Sequence, residues 1–144
     1  MVGDGTDEQS FQHKCKDEGI SNVIFAGFYQ KSELPHLYAA ADVFVFPTLG
    51  DPYGLVVDEA MACSLPVIST TAAGEIRDRV EDGMNGYIVP PEDSGALAEC
   101  MMRFVNKPDL YKKMGMVSSK KIEGRTPEKW AQDFEKIIKK LLSK

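Results

Sequence analysis

Asp51 and Glu59 enclose seven residues in the stretch PTLGDPYGLVVDEAMACSLP at 47–66, and Gly54 lies between them. A polar, turn-rich run at 48–54 follows the short apolar run DVFVF at 42–46 and leads directly into a segment with helical patterning, giving strand, loop and helix start. In a parallel sheet such a junction lies at the carboxyl edge. There the first helix amides have no intrahelical partner, and the helix dipole adds to their attraction for an anion. Gly54 carries no side chain, so a ligand could come close to the amides of Gly54, Leu55 and Val56. On a helical wheel Glu59 shares a face with Leu55, Val56 and Cys63, so its carboxylate emerges among apolar neighbours, while Asp58, near Met61 and Ala62, reads as the solvated one. An unpaired buried charge costs several kcal/mol, so Glu59 needs hydrogen-bond donors. These come either from a ligand or from loop amides that the side chain braces, and the spacing leaves both open.

The elements that must position this junction alternate along the chain. MVGDG at 1–5 reads as a strand end running into a turn. Thr6 and Gln9 have the spacing of a capping box, opening a helix that runs to Glu18 and closes at Gly19. VIFAG at 23–27 reads as a strand, Ser32 as the cap of a short helix SELPHLYAAA, and VFVF at 43–46 as a buried strand. After the central helix come a strand at 66–69, a small-residue loop at 70–74, a turn of helix in GEIRDRV, two Gly turns at 82–86 and a strand YIV at 87–89. This alternation predicts right-handed crossovers and an α/β fold with a doubly wound parallel sheet.

The rest is helical. Leu97, Met101, Phe104 and Val105 form one apolar stripe and Ile137, Ile138, Leu141 and Leu142 another, both expected in the core, and Thr126-Pro127-Glu128 is a helix start. There is no internal repeat. The expectation is one domain over 1–144, with a sheet layer at 1–106 and C-terminal helices at 107–144.

A chain of 144 residues with 43% hydrophobic content can bury one core. Its net charge of -5 and lack of a dense basic patch argue against nucleic acid or an anionic membrane as partner. The three cysteines, Cys15, Cys63 and Cys100, form no CxxC pair, so neither a disulfide framework nor a zinc site is indicated and free thiols in the cytoplasm are expected. There is no Asp-x-Asp pair or His/Cys cluster to suggest a metal, and His13 and His36 read as helix-surface residues. No apolar run reaches the roughly 18 residues of a membrane span, and membrane association is expected only through parts outside these residues.

The central stretch resembles the signature of the retaining nucleotide-sugar glycosyltransferases of glycosyltransferase family 4, Glu-x-Phe-Gly-Leu followed by Glu-Ala-Met-Ala-Cys-Gly-x-Pro-Val. The likeness extends to Val2-Gly3-Asp4-Gly5, to 22–27 and to Asp82-Gly83-Met84-Asn85-Gly86 with Val89 and Pro90, and so covers residues 2 to about 106. It implies the C-terminal, donor-binding, Rossmann-like half of a two-domain GT-B fold with a helical tail. In that reading the amides of Gly54, Leu55 and Val56 meet the donor diphosphate and Asp51 holds hydroxyls of the sugar. Glu59 accepts from the ribose, Tyr53 joins the donor contacts, and Phe28 and Tyr29 lie toward the base. The implied reaction is glycosyl transfer with retention, without an obligatory metal and without a cofactor, the nucleotide sugar being a substrate.

Asp51 stands where the signature has Glu and Ser64 where it has a helix-capping Gly, and Ala72-Ala73-Gly74-Glu75 replaces paired glycines before a Glu. The strand and Gly-rich turn that would carry an Arg and a Lys for the phosphates do not precede Val2. The expectation is therefore an N-terminal acceptor domain outside these residues and an isolated chain that is inactive. Alternative readings are a non-catalytic nucleotide-sugar-binding module, a GT-B epimerase or a glycosyl phosphorylase.

Overall fold

The computed structural model describes residues 1–142. Its contacts divide the chain into Met1–Leu37 and a second unit from Tyr38 onward.

In the first unit, helix α1 (Glu8–Asp17) has Asp7 at its N-cap with no side-chain cap bond, so the Thr6–Gln9 capping box does not form. Its far end behaves as expected. Gly19 takes a φ of 67°, its amide donates to Lys16 O, and Ile20 N donates to Cys15 O at 2.7 Å, a Schellman closure. Neither 1–5 nor 23–27 is a strand, contrary to the sequence reading. The two segments do exchange backbone hydrogen bonds, Ala26 N to Met1 O and Gly3 N to Gly27 O, both 2.8 Å. However, Ile24 is 77% exposed, and a pairing of two short segments without a covered apolar face is marginal. Helix α2 (Leu34–Ala39), whose last two residues belong to the second unit, is entered through Gln30 N donating to the Glu33 carboxylate rather than through a Ser32 cap.

The second unit contains a parallel sheet of β1 (Phe44–Phe46), β2 (Val67–Thr70) and β3 (Gly86–Val89), in that order. Phe44 pairs with Val67, and Val67 with Gly86. Alternation sends Phe44, Phe46, Val67 and Ile88 to one face. There Val57 and Met61 of α3 (Leu55–Ala62) and Ile76 of α4 (Ile76–Arg79) cover them. Ile68, Tyr87, Val89 and Val45 face the other way, onto Cys100 and Phe104 of α5 (Ser94–Asn106) and Met114 of α6 (Asp109–Ile122). Both faces are apolar and both are covered, which is the condition for an all-parallel sheet. Residues beyond 106 therefore take part in the core through Met114 and Ser118.

The two expected stripes fare differently. On α5 the buried line is Cys100 and Phe104, with Leu97 half-buried, whereas Met101 and Val105 are 46% and 67% exposed. The face turned to the sheet is thus centred one residue away from the predicted stripe. On α7 (Pro127–Leu142) no residue is buried, and Ile137, Ile138, Leu141 and Leu142 are exposed along with Trp130 and Phe134. Among the described residues nothing covers that side, so the stripe is not core. No described helix is long and apolar enough to cross a membrane. The three cysteines are free thiols.

Helix α3 ends in a second Schellman closure, Ser64 N to Met61 O and Leu65 N to Ala60 O, which requires Ser64 at a φ of 60°. A side chain in this left-handed conformation costs roughly 1–2 kcal/mol. Ser64→Gly is therefore expected to raise stability by about 1 kcal/mol in urea unfolding. No gain would show that the strain is relieved elsewhere.

Candidate functional site

The carboxyl edge of the sheet is built from the loop after β1 and the loop after β2, and the sequence ties them together. Thr70 Oγ1 donates to Thr48 O at 2.6 Å and Ser69 Oγ to Phe46 O at 3.1 Å, both from nearly inaccessible side chains. Further along, Asp51 and Ala73 form a bridge in which Gly74 N donates to Asp51 O at 2.8 Å. A Cβ on Gly74 would lie 1.9 Å from Pro52 O, so the loops can approach this closely only with glycine there. The Asp51 carboxylate accepts from Tyr53 N at 2.9 Å through Oδ1.

Helix α3 then starts as the sequence indicates, with Gly54 as N-cap at a φ of 72°. An added Cβ there would come within 3.1 Å of Phe46 Cε1. Val57 N donates to Gly54 O, whereas the amides of Gly54, Leu55 and Val56 donate to no protein acceptor among the described residues. Three adjacent open donors at a helix start can hold an anionic oxygen pair.

One turn along, Glu59 is half-buried and Oε2 accepts from the Tyr38 hydroxyl at 3.0 Å. Its protein donor is thus a tyrosine from the end of α2, and among the described residues Oε1 accepts no protein hydrogen bond. Tyr38 is itself packed edge-on against Phe44, 5.7 Å between ring centres. Nothing in the linear spacing announced this partner, 21 residues upstream. Burial, and then the Glu59 carboxylate, push the Tyr38 phenol above its ordinary range and burial likewise raises the Cys63 thiol. A phenol held protonated in the folded state contributes stability that is intact below the unfolded tyrosine pKa, near 10, and is lost as pH rises through the folded value. In a spectrophotometric titration Tyr38 is expected to ionise above the usual tyrosine range, and Tyr38→Phe should remove that high-pH step. A step that survives in Tyr38→Phe would show that another tyrosine carries it.

Asp58 reverses its expected role. It is not the solvated acid: Oδ1 meets Arg79 Nη1 at 3.1 Å and Oδ2 accepts from the Tyr53 hydroxyl at 3.0 Å. Arg79 is 1% exposed and its guanidinium lies 4.4 Å from the centre of the Tyr53 ring. The same guanidinium donates to the carbonyls of Gly54, Tyr53 and Gly74. Sequence reasoning passed over Arg79, although its position between Ile76 and Val80, both buried, was a usable signal.

Asp51, Tyr53, Gly54, Leu55, Val56 and Glu59 are thus gathered on one loop and helix start. Leu55 is 67% exposed, and the side chain of Tyr53 is engaged internally. Phe28, exposed, and Tyr29, half-buried, belong to the first unit. His13 and His36 are exposed on α1 and α2.

A parallel α/β unit with a glycine-led helix start at its carboxyl edge places this chain in the class of doubly wound, Rossmann-like folds. The particular family follows from comparison. The model described as "Glycosyl transferases group 1" matches residues 1–107, and the chain belongs to that family. It is 34% identical over 139 residues to EpsD of Bacillus subtilis, covering 93% of this chain and 36% of that protein. Sucrose-phosphate synthase from Thermosynechococcus elongatus superposes with a TM-score of 0.82 at 28% identity, covering 96% of this chain and 35% of that one. HepE of Anabaena in complex with UDP gives 0.80 at 27% identity, covering 99% and 40%. The fold is that of the C-terminal domain of GT-B glycosyltransferases. The chain spans about a third of the length of these relatives.

Proposed function

We propose that this chain binds a nucleoside-diphosphate sugar as the donor side of a retaining glycosyltransferase. The observation that carries the reading is the run of three unengaged amides at Gly54, Leu55 and Val56, with the half-buried Glu59 one turn along. The amides and the helix dipole take the diphosphate, whose charge grows as the glycosyl bond breaks, so they stabilise the transition state more than the ground state. Glu59, oriented by Tyr38, accepts from the ribose hydroxyls through the oxygen that has no protein donor. Asp51 uses the oxygen not held by Tyr53 N to contact the sugar. Tyr53 serves the donor through the loop it anchors. The transfer is metal-independent and uses no cofactor. The acceptor is held by an N-terminal domain of the longer protein, and without it the chain binds the donor but does not turn over. HepE, at 27% identity, supports UDP as the first nucleotide to test.

Titration calorimetry of the chain with UDP, GDP and ADP, in buffer with EDTA, tests this. One of them is expected to saturate a single site, and Gly54→Val, which blocks the helix start, to abolish the signal. A chain that binds none of the three refutes the reading.

A further inference from the structure

Arg79 lies behind the helix start rather than in it, and the established family membership assigns it nothing. Its two terminal nitrogens together meet four acceptors: the carbonyls of Gly54, Tyr53 and Gly74, and the Asp58 carboxylate. The third nitrogen, Nε, is buried without a partner. A buried donor left unmade is unfavourable by about 1–3 kcal/mol, so the orientation of this group is set by the loop carbonyls and not by its own full satisfaction. The three carbonyls belong to the two loops of the carboxyl edge, and two of them are the peptide oxygens on either side of the Gly54 amide. With those oxygens drawn inward to Arg79, the 53–54 and 54–55 peptide planes are fixed, and the Gly54 and Leu55 N–H groups that share them are constrained to point the opposite way. Only a planar fork with several donors makes these contacts at once, which a lysine ammonium cannot.

We infer that Arg79 is a positioning residue for donor binding: it clamps the Tyr53–Gly54 turn to Gly74 and thereby aims the amides of Gly54 and Leu55 at the donor's diphosphate. The inference rests on the proposed function and adds the residue that pre-organises its anion site.

The test compares UDP binding by calorimetry with urea unfolding and with the amide resonances of residues 54–57, in the wild-type chain and in two variants. The double variant Arg79→Gln/Asp58→Asn removes both charges, and replacing a buried pair jointly is often close to neutral for stability, so it is the variant expected to fold. Arg79→Lys keeps the charge and loses the fork. Both variants are expected to unfold cooperatively, to shift the resonances of 54–57 while those of β2 and β3 stay in place, and to bind UDP about tenfold or more weakly. A folded variant with wild-type affinity overturns the inference. Loss of cooperative unfolding in both variants also overturns it, because Arg79 then holds the whole unit and not the loop. A wild-type chain that binds no UDP, GDP or ADP overturns the reading of the site itself, a result distinct from either.

Discussion

Arg79→Met, taken alone, is expected to lower the unfolding free energy by about 3–5 kcal/mol, the usual loss when one partner of a buried ion pair is removed. Methionine fills much of the same space but donates nothing. Asp58, whose side chain is 20% exposed, would keep only the Tyr53 hydroxyl, and the carbonyls of Gly54, Tyr53 and Gly74 would lose their common donor. Part of the loss should return when Asp58→Asn is added, because the stranded charge is then gone. Urea unfolding of the two single variants and the double variant measures this coupling. A single-variant loss under about 1 kcal/mol would mean that water reaches the guanidinium and that the pair behaves as a surface one.

The way this pair escaped sequence reading shows what linear patterns carry. Gly54, the apolar positions of α3 and the apolar run of β1 act locally, through backbone conformation and strand alternation, so the strand, loop and helix of the site appear in the sequence where the structure has them. The partners of its acids are long-range. Glu59 receives its hydrogen bond from Tyr38 and Asp58 its cation from Arg79, both 21 residues away and in opposite directions along the chain. Helical-wheel neighbours place a carboxylate on a face but do not reveal what another element brings to that face, so Asp58 reads as solvated in the sequence although Arg79 and Tyr53 hold it in the structure. The same limit explains α7. The spacing of Trp130, Phe134, Ile137 and Leu141 specifies one apolar side, but burial of that side depends on a covering surface that periodicity does not encode. At 23–27 the residue types favour a strand, yet Ile24 remains exposed and the ladder stays incomplete.

Glu59→Gln is expected to weaken UDP binding by about 1.5–3 kcal/mol, roughly ten- to hundredfold, the range for hydrogen bonds to a charged group. Glutamine matches the shape and keeps an oxygen for Tyr38, so the loop has little reason to move. It replaces the oxygen facing the ribose with either a weaker acceptor or a donor. Inorganic pyrophosphate makes the opposite prediction. It uses only the amides at 54–56, and removing a negative charge one helical turn away should leave its affinity unchanged or slightly raise it. Tyr38→Phe should give a smaller loss for UDP, because the carboxylate remains but is no longer held in one rotamer. The two ligands together decide between the readings that the spacing of Asp51 and Glu59 left open. If UDP and pyrophosphate weaken equally in Glu59→Gln, the acid braces the loop and does not touch the sugar of the nucleoside. Only a loss confined to UDP places the ribose at Glu59.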